Sequence, residues 1–368
     1  MKKVGILSMQ HVQNFGSLLQ AYSLKKICSE FNCQVFFIDI KKIDDDYKLT
    51  SYEIQESVFR KENVKRYDRY FVNRVRQHFK MTEQENRFDE FRNKYLYING
   101  KTDKYDLAII GSDEVFNFNA KSKWGFTSQL FGNIPEAKKI ITYAACCGMT
   151  TTSHINSQIE STIRKYITKI SDYSVRDQNT FEFLNHFVDS KKINLHLDPV
   201  LIGNFDEEME KNQDILNRLP KKYCIVYSYG NRIKDKHEID EIKRFCKNKR
   251  MKIITVGAPQ FWAKNLVPMN PFEMLVAFKN AEFVITDTFH GTIFSSKYSK
   301  RFAVLTRESN SFKLNDLIER LNIKDHKIVS MDDLNKIYSI EKDCNKINKI
   351  LNEQRKVSLK YLEKNINE

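Results

Sequence analysis

Five polar side chains crowd into seven positions of one stretch, AEFVITDTFHGTIFSSKYSKRFAVL, at residues 281–305. They are Thr286, Asp287, Thr288, His290 and Thr292, with Gly291 among them. A histidine in such company can give or take a proton near neutral pH. The β-prone run Phe283, Val284, Ile285 predicts a buried strand over 282–286. A tight turn over 287–291 follows, then a helix from 292 to 297 and a strand over 301–305. The polar group then lies at the carboxyl end of a strand and the amino end of a helix. Open α/β sheets bind ligands there, and the free N–H groups and dipole of the helix suit an anion. Gly291 lets the backbone approach a ligand closely. The plainer reading of the same residues is a structural turn whose histidine caps the helix.

The elements that must hold this group alternate along the chain. In the first half, strands are expected over 4–8, 34–40, 105–110, 139–144 and 173–175, with helices over 18–29, 155–170 and 179–185, and 192–196 leads into Leu197-Asp198-Pro199. In the second half, strands over 223–227 and 252–256 precede the opening stretch, with helices over 239–248, 272–278 and 312–321. Such alternation predicts an α/β protein with two Rossmann-like domains facing a cleft. The boundary falls in the polar, acidic stretch 203–220, giving domains 1–204 and 205–340. Residues 341–368 form a long charged terminal helix that packs back on the first domain.

Residues 41–99 interrupt the alternation as a helical insertion. An amphipathic helix is expected over 58–80, with Val64, Tyr67, Phe71, Val75 and Phe79 near a 3.6-residue period. Its other face carries Arg60, Lys61, Lys65, Arg66, Arg69, Arg74, Arg76 and Lys80. That face is either solvated or a surface for anionic lipid or a phosphorylated carrier. A second helix over 83–94 is anchored by Phe88 and Phe91.

Other strand ends also carry polar groups. Asn14 and Gly16 sit in the first strand-to-helix turn, where a single glycine excludes the dinucleotide fingerprint. Ser112 and Asp113 end the third strand; Asp113 either caps a helix or accepts a proton. Arg176 follows the short mid-chain strand, where the plain reading is a pair with Asp177 or Asp198. Arg232 lies beyond the first strand of the second half.

Composition narrows the classes. With 368 residues, 41% hydrophobic and 29% charged, the chain can bury a large core and stay soluble. No run approaches the roughly 20 apolar residues of a membrane span, and the start MKKVGILSMQ reads as a first strand rather than a signal peptide. Seven cysteines without CxxC spacing point to reduced cytoplasmic thiols and no zinc site. The net charge of +14, from 61 basic and 47 acidic residues, attracts nucleic acid, anionic membrane or phosphorylated ligands. No nucleic-acid signature appears and the basic residues are spread along the chain, which argues against a nucleic-acid partner.

Several pieces, in order, are similar to the polysaccharide pyruvyl transferase family over most of the chain. They are Asn14-Phe15-Gly16 with Leu19-Gln20-Ala21-Tyr22, Gly111-Ser112-Asp113, and Tyr143-Ala144-Ala145 through Gly148. Ser174-Val175-Arg176-Asp177, Leu197-Asp198-Pro199, Thr286-Asp287 and Phe289-His290-Gly291 complete them. The resemblance implies a GT-B-like fold and transfer of the pyruvyl group of phosphoenolpyruvate to two hydroxyls of a sugar. The products are a cyclic ketal and phosphate. It implies a lipid-linked or polymeric glycan acceptor, no cofactor and no metal, and work in the cytoplasm or at the inner face of the membrane. His290 would be the acid/base with Asp287 beside it. Arg176 would hold the donor, with Thr288, Gly291, Thr292, Lys297 and Arg232, and Asn14, Gly16, Ser112 and Asp113 would meet the acceptor. Some members carry an arginine at the position of Thr288. The candidates to replace that cation are Lys297, Lys300, Arg301 and Arg232. A glycosyltransferase using a nucleotide sugar in the same cleft is the alternative.

Overall fold

The computed structural model describes residues 1–41, 71–100, 102–118 and 125–368. The first half runs β1 (Lys2–Leu7), α1 (Phe15–Ser29), β2 (Cys33–Phe37), α2 (Phe71–Phe91), β3 (Tyr105–Asp113) and β4 (Ala137–Ala145). It continues with α3 (Ser157–Ile167), β5 (Tyr173–Val175), α4 (Gln178–Asn185) and β6 (Ile193–Leu195). Two short helices, α5 (Pro199–Ile202) and α6 (Asp206–Glu210), lead across to β7 (Tyr223–Tyr227). Then come α7 (Lys236–Asn248), β8 (Lys252–Thr255), α8 (Pro271–Asn280), β9 (Phe283–Thr286), α9 (Phe289–Tyr298) and β10 (Phe302–Leu305). The chain closes with α10 (Ser311–Arg320), β11 (Lys327–Ile328), α11 (Leu334–Tyr338) and α12 (Cys344–Asn367).

Both sheets are parallel, with orders β2-β1-β3-β4-β5-β6 and β11-β10-β9-β7-β8. Within each sheet the first strand lies between the second and the third. The connections therefore diverge between β1 and β3 in one sheet and between β7 and β9 in the other, opening a crevice at the carboxyl ends of each pair. β3 runs to Asp113, three residues beyond the expected end at 110, so Gly111-Ser112-Asp113 belongs to the strand itself.

Helix α1 explains how the crevices come together. Its buried residues include Phe15, Ser17, Leu18, Gln20, Leu24 and Ile27, which occupy more than one face. A helix buried all round must lie between two layers. Here it packs on α5, α8 and α12. One hydrophobic cluster runs from Val4 and Ile6 through Phe15 and Leu18 to Ile225, Val284 and Phe294, so the core is continuous between the two sheets.

The insertion differs from the expected pair of helices. Residues 42–70, with Val64, Tyr67, Arg60, Lys61, Lys65, Arg66 and Arg69, lie outside the described residues. From 71 to 91 a single α2 passes through the expected break, with no glycine or proline to stop it, and ends in a π-helical turn, Arg92–Leu96. The expected apolar face is not the buried one, while Arg74 and Arg76 of the expected basic face stay exposed. Gln77 and Gln84 are buried and donate to the carbonyls of Gln260, Ala263 and Met269, while Val75 and Phe79 are exposed. The loop at 260–269 offers carbonyls outside the strand ladder, and amide side chains donate to them where apolar ones cannot. Lys80 joins in by donating to the Leu266 carbonyl at 2.6 Å.

α12 packs back over the first sheet as expected. The Tyr361 hydroxyl donates to the Thr142 carbonyl at 3.0 Å, Arg355 donates to the Ile202 carbonyl, and Leu362 and Ile366 are buried. No helix among the described residues is long and apolar enough to cross a membrane. Replacing Leu362 by alanine should destabilise the protein by about 2–5 kcal/mol, the usual cost of a cavity at a filled core position. Chemical denaturation of the two proteins measures it.

Candidate active site

The site begins with a cap. Asn14, in extended conformation, accepts from the Ser17 amide at 2.8 Å and starts α1. Two residues later, a Cβ added to Gly16 would stand 2.2 Å from Nδ1 of His290. The imidazole of the second half therefore rests on the α1 backbone of the first, and only glycine leaves room for it. On its other side the ring stacks on Phe294 at a centroid distance of 6.1 Å.

His290 Nε2 has no hydrogen-bond partner among the described residues and lies 3.7 Å from Asp198 Oδ2. Asp198 is buried after β6. Its Oδ1 accepts from the Val200 amide at 3.0 Å, and its Oδ2 accepts from Arg176 at 3.2 Å and from Gln20. Burial alone would push the Asp198 carboxyl up, but His290, Arg176 and the Val200 amide outweigh it and hold it below the usual carboxylate range. Gln20 also donates to Ser112 Oγ at 3.1 Å, and Ser112 donates to the Ala144 carbonyl at 3.1 Å. Asp113 caps no helix. It accepts from Ser17 Oγ at 2.5 Å and from the Glu114 amide at 2.9 Å. Asp113 and Ala144 hold positive φ, +83° and +44°, at the ends of adjacent strands. Such strain in non-glycine residues collects at functional sites.

Arg176 follows β5, buried, with its guanidinium 4.2 Å from the centroid of the Phe289 ring. Its Nε is unpartnered among the described residues, and its carbonyl accepts from Arg320 at 2.7 Å. Across the cleft, Lys313 of α10 forms an ion pair with Glu114 and lies 6.0 Å from the same Phe289 ring. Burial alone would push the Glu114 carboxyl up, yet Lys313, Asn117 and Arg176 hold it down to about 2.

The second polar group of the cleft centres on Asp287. Its Oδ2 accepts from Arg307 Nε at 3.2 Å and lies 3.6 Å from Arg232 Nε. Arg307 also grips Glu238 with both terminal nitrogens. Burial pushes the Asp287 carboxyl up, and Ser228 and the two arginines offset this only in part. Asp287 thus faces arginines, and the carboxylate that faces His290 is Asp198. The expected place of Asp287 beside His290 is corrected accordingly.

The remaining residues expected at the site also have partners. Thr288, not His290, caps α9, accepting from the Gly291 amide at 2.9 Å. Thr292 Oγ1 donates to the Thr288 carbonyl at 2.9 Å inside the same turn. A Cβ at Gly291 would meet Thr286 Oγ1 at 2.0 Å and Tyr227 at 2.7 Å, so its smallness serves packing of α9 on the sheet. Lys297 lies two turns along α9 and donates to the carbonyls of Val200 (2.7 Å) and Gly203. Lys300 and Arg301 pair with Glu341 at the far end of that helix. These three cations sit away from His290, which leaves Arg232 from the expected set beside the cleft. Cys146 and Cys147 are buried, and burial pushes both thiols up. Among the described residues, no group of three His, Cys, Asp or Glu side chains is placed to hold a metal ion.

Sequence reasoning missed Gln20 as the link between Ser112 and Asp198, and missed Glu114, Arg307 and Lys313. A polar Gln20 on the otherwise apolar start of α1 was the available signal for the first; a lysine at 313 carries none.

Against known proteins, the family model for polysaccharide pyruvyl transferase matches residues 14–310, more than half of the chain. No curated protein matches it in sequence. Among solved structures, UDP-GlcNAc 2-epimerase of Methanocaldococcus jannaschii is similar with a TM-score of 0.51 at 12% identity, covering 94% of each chain. The UDP-N-acetylglucosamine 2-epimerase of Rickettsia bellii gives a TM-score of 0.49 at 12% identity, covering 98% of this chain and 97% of that one. At such identity the likeness is one of fold, and the fold is GT-B.

Two outcomes follow from the geometry. Alanine in a helix normally gains up to about 1 kcal/mol over glycine. At Gly16 the clash with His290 should win, giving a net loss of about 1–3 kcal/mol. The same change should move the His290 imidazole resonances in NMR spectra and leave those of His326 in place. For Glu114→Gln the sign is set by a depressed carboxyl. The Glu114 contribution is complete above the ordinary glutamate value of about 4.3. It fades as pH falls towards about 2. The gap in denaturation midpoint between wild type and variant should therefore be widest near neutrality and shrink through that window.

Proposed function

The chain belongs to the polysaccharide pyruvyl transferase family. On that premise we propose that it moves the pyruvyl group of phosphoenolpyruvate onto two hydroxyls of one sugar in a cell-surface polysaccharide precursor. The observation that carries the reading is the row Arg176, Asp198, His290. It brings a guanidinium, a carboxylate and a proton-transfer group side by side just beyond β5, β6 and β9.

In this reading His290 gives a proton to the methylene carbon of the donor, which becomes a methyl group. The central carbon takes on oxocarbenium character, and buried Asp198 supplies fixed negative charge near it. The first sugar hydroxyl adds to that carbon and returns a proton to His290. The second hydroxyl attacks the same carbon as the C–O bond to phosphate breaks, and its proton leaves with the phosphate. The result is a ketal and inorganic phosphate, with the histidine restored and no redox change or cofactor required.

The donor carries a carboxylate and a phosphate, so it needs two cations. Arg176 is one. Lys313 is the other, in place of the arginine that some family members have at the Thr288 position, because it too lies by the Phe289 ring, 6.0 Å from its centroid. Arg232 and Arg307 extend the positive wall. Asn14, Ser112 and Asp113 lie on the acceptor side. The acceptor is a lipid-linked or polymeric glycan, and the supply of phosphoenolpyruvate places the reaction in the cytoplasm.

Calorimetry with phosphoenolpyruvate and a panel of nucleotide sugars tests the reading. Phosphoenolpyruvate should bind. Arg176→Lys should weaken it about 10–100-fold, the worth of a charged hydrogen-bond pair. His290→Gln should bind within a few-fold of wild type yet lose about 10²–10⁴ in turnover once an acceptor is supplied. Binding of a nucleotide sugar with none of phosphoenolpyruvate would replace this reading with glycosyl transfer.

A further inference from the structure

Behind the cleft, at the edge strand β8, the second half carries a hollow of about 610 Å³. Trp262, Met251 and Ile253 contribute apolar surface, and Lys243, Lys247, Arg250, Lys252 and Lys264 supply the cations. Lys243 lies 5.6 Å from the Trp262 ring centroid. Among the described residues, Lys247, Arg250, Lys252 and Lys264 have no carboxylate within ion-pair distance, and all four are exposed. The indole N–H of buried Trp262 has no hydrogen-bond partner among the described residues either. Five cations and no carboxylate line this hollow, a charge that suits an anion with an apolar part.

Helix α2 adjoins this hollow. Gln77 donates to the carbonyl of Ala263, which lines it, and Arg74 stacks 4.7 Å from the ring of neighbouring Phe261. The first turns of α2 leave Val72 69%, Val75 44% and Phe79 72% exposed. At i, i+3 and i+7 these form one outward stripe, with exposed Arg76 beside it. An apolar helical stripe bordered by cations, next to a basic hollow with a tryptophan in its wall, has the chemistry of an interfacial contact.

We propose that this face, the α2 stripe with the Trp262 hollow, docks the protein on an anionic lipid surface. Phosphate-bearing headgroups enter the ring of Lys247, Arg250, Lys252 and Lys264, while Val72, Val75 and Phe79 enter the acyl boundary. The surface lies outside the transfer site, and its docking does not depend on the reaction assigned above.

Vesicle flotation needs no substrate and tests it directly. Vesicles containing phosphatidylglycerol should float at least tenfold more protein than pure phosphatidylcholine at 0.1 M salt, and 0.5 M salt should release it. Each cation near such a surface is worth about fivefold in partitioning. The triple variant Lys247→Glu/Arg250→Glu/Lys264→Glu should therefore lose about a hundredfold or more, and Val72→Ser/Phe79→Ser several-fold, with unchanged circular dichroism. Phosphoenolpyruvate binding by calorimetry should stay the same in both variants. Equal flotation with both lipids, no flotation, or variants that float like wild type would overturn the proposal. So would Val72→Ser/Phe79→Ser converting a dimer to a monomer in light scattering, since that assigns the stripe to a second copy. Preferential capture of an RNA oligonucleotide over the anionic vesicles would assign the hollow to nucleic acid and overturn it as well.

Discussion

The Asp198 carboxylate binds the two halves of this protein to one geometry. It is buried from solvent, so its charge is balanced by Arg176, by the amide of Val200, by Gln20 and by the nearby His290. Those partners come from four different segments, the end of β5, α5, α1 and α9. A buried carboxylate tolerates little movement of any of them, because each lost partner leaves charge uncompensated in a low-dielectric interior. The position of α9 against α1, and hence the contact of His290 with Gly16, is set by the same requirement.

The cleft's cations are already paired before any ligand arrives: Arg176 with Asp198, Lys313 with Glu114, Arg307 with Glu238 and Asp287. An incoming anion therefore exchanges partners rather than finding bare charge. That lowers the affinity an anion gains from any one cation and raises discrimination, since only a ligand that satisfies several cations together repays the displaced carboxylates. Preformed pairs also fix the long side chains in place, which reduces the ordering cost of binding.

The alternation of strands and helices was legible because buried parallel strands read as continuous apolar runs, such as Ile225 to Tyr227 and Phe283 to Ile285. The polar clusters at their ends were legible for the same reason, since each ends an apolar run abruptly. What sequence could not supply was partnership across the cleft. Asp287 is next to His290 in the chain, but the turn of α9 sends the two side chains apart, and Asp198, 92 residues away, meets the imidazole instead. Helix α2 was misread for a related reason. Periodicity marks an apolar face, and it assumes that this face is the buried one. A loop whose carbonyls face α2 engages Gln77 and Gln84 instead and leaves Val75 and Phe79 outside.

The terminal helix α12 has a consequence for the order in which this molecule is made. The first sheet is complete at Leu195, but the ring of Tyr361 that covers Tyr143 and His196 belongs to residues made more than 160 positions later. At ribosomal speeds of about 5–20 residues per second, that face of the nascent first half stays uncovered for roughly 8–30 s. During that interval aromatic surface around Tyr143 is open to chaperones or to aggregation. Helix α12, made late, is then the lid that ends this exposure.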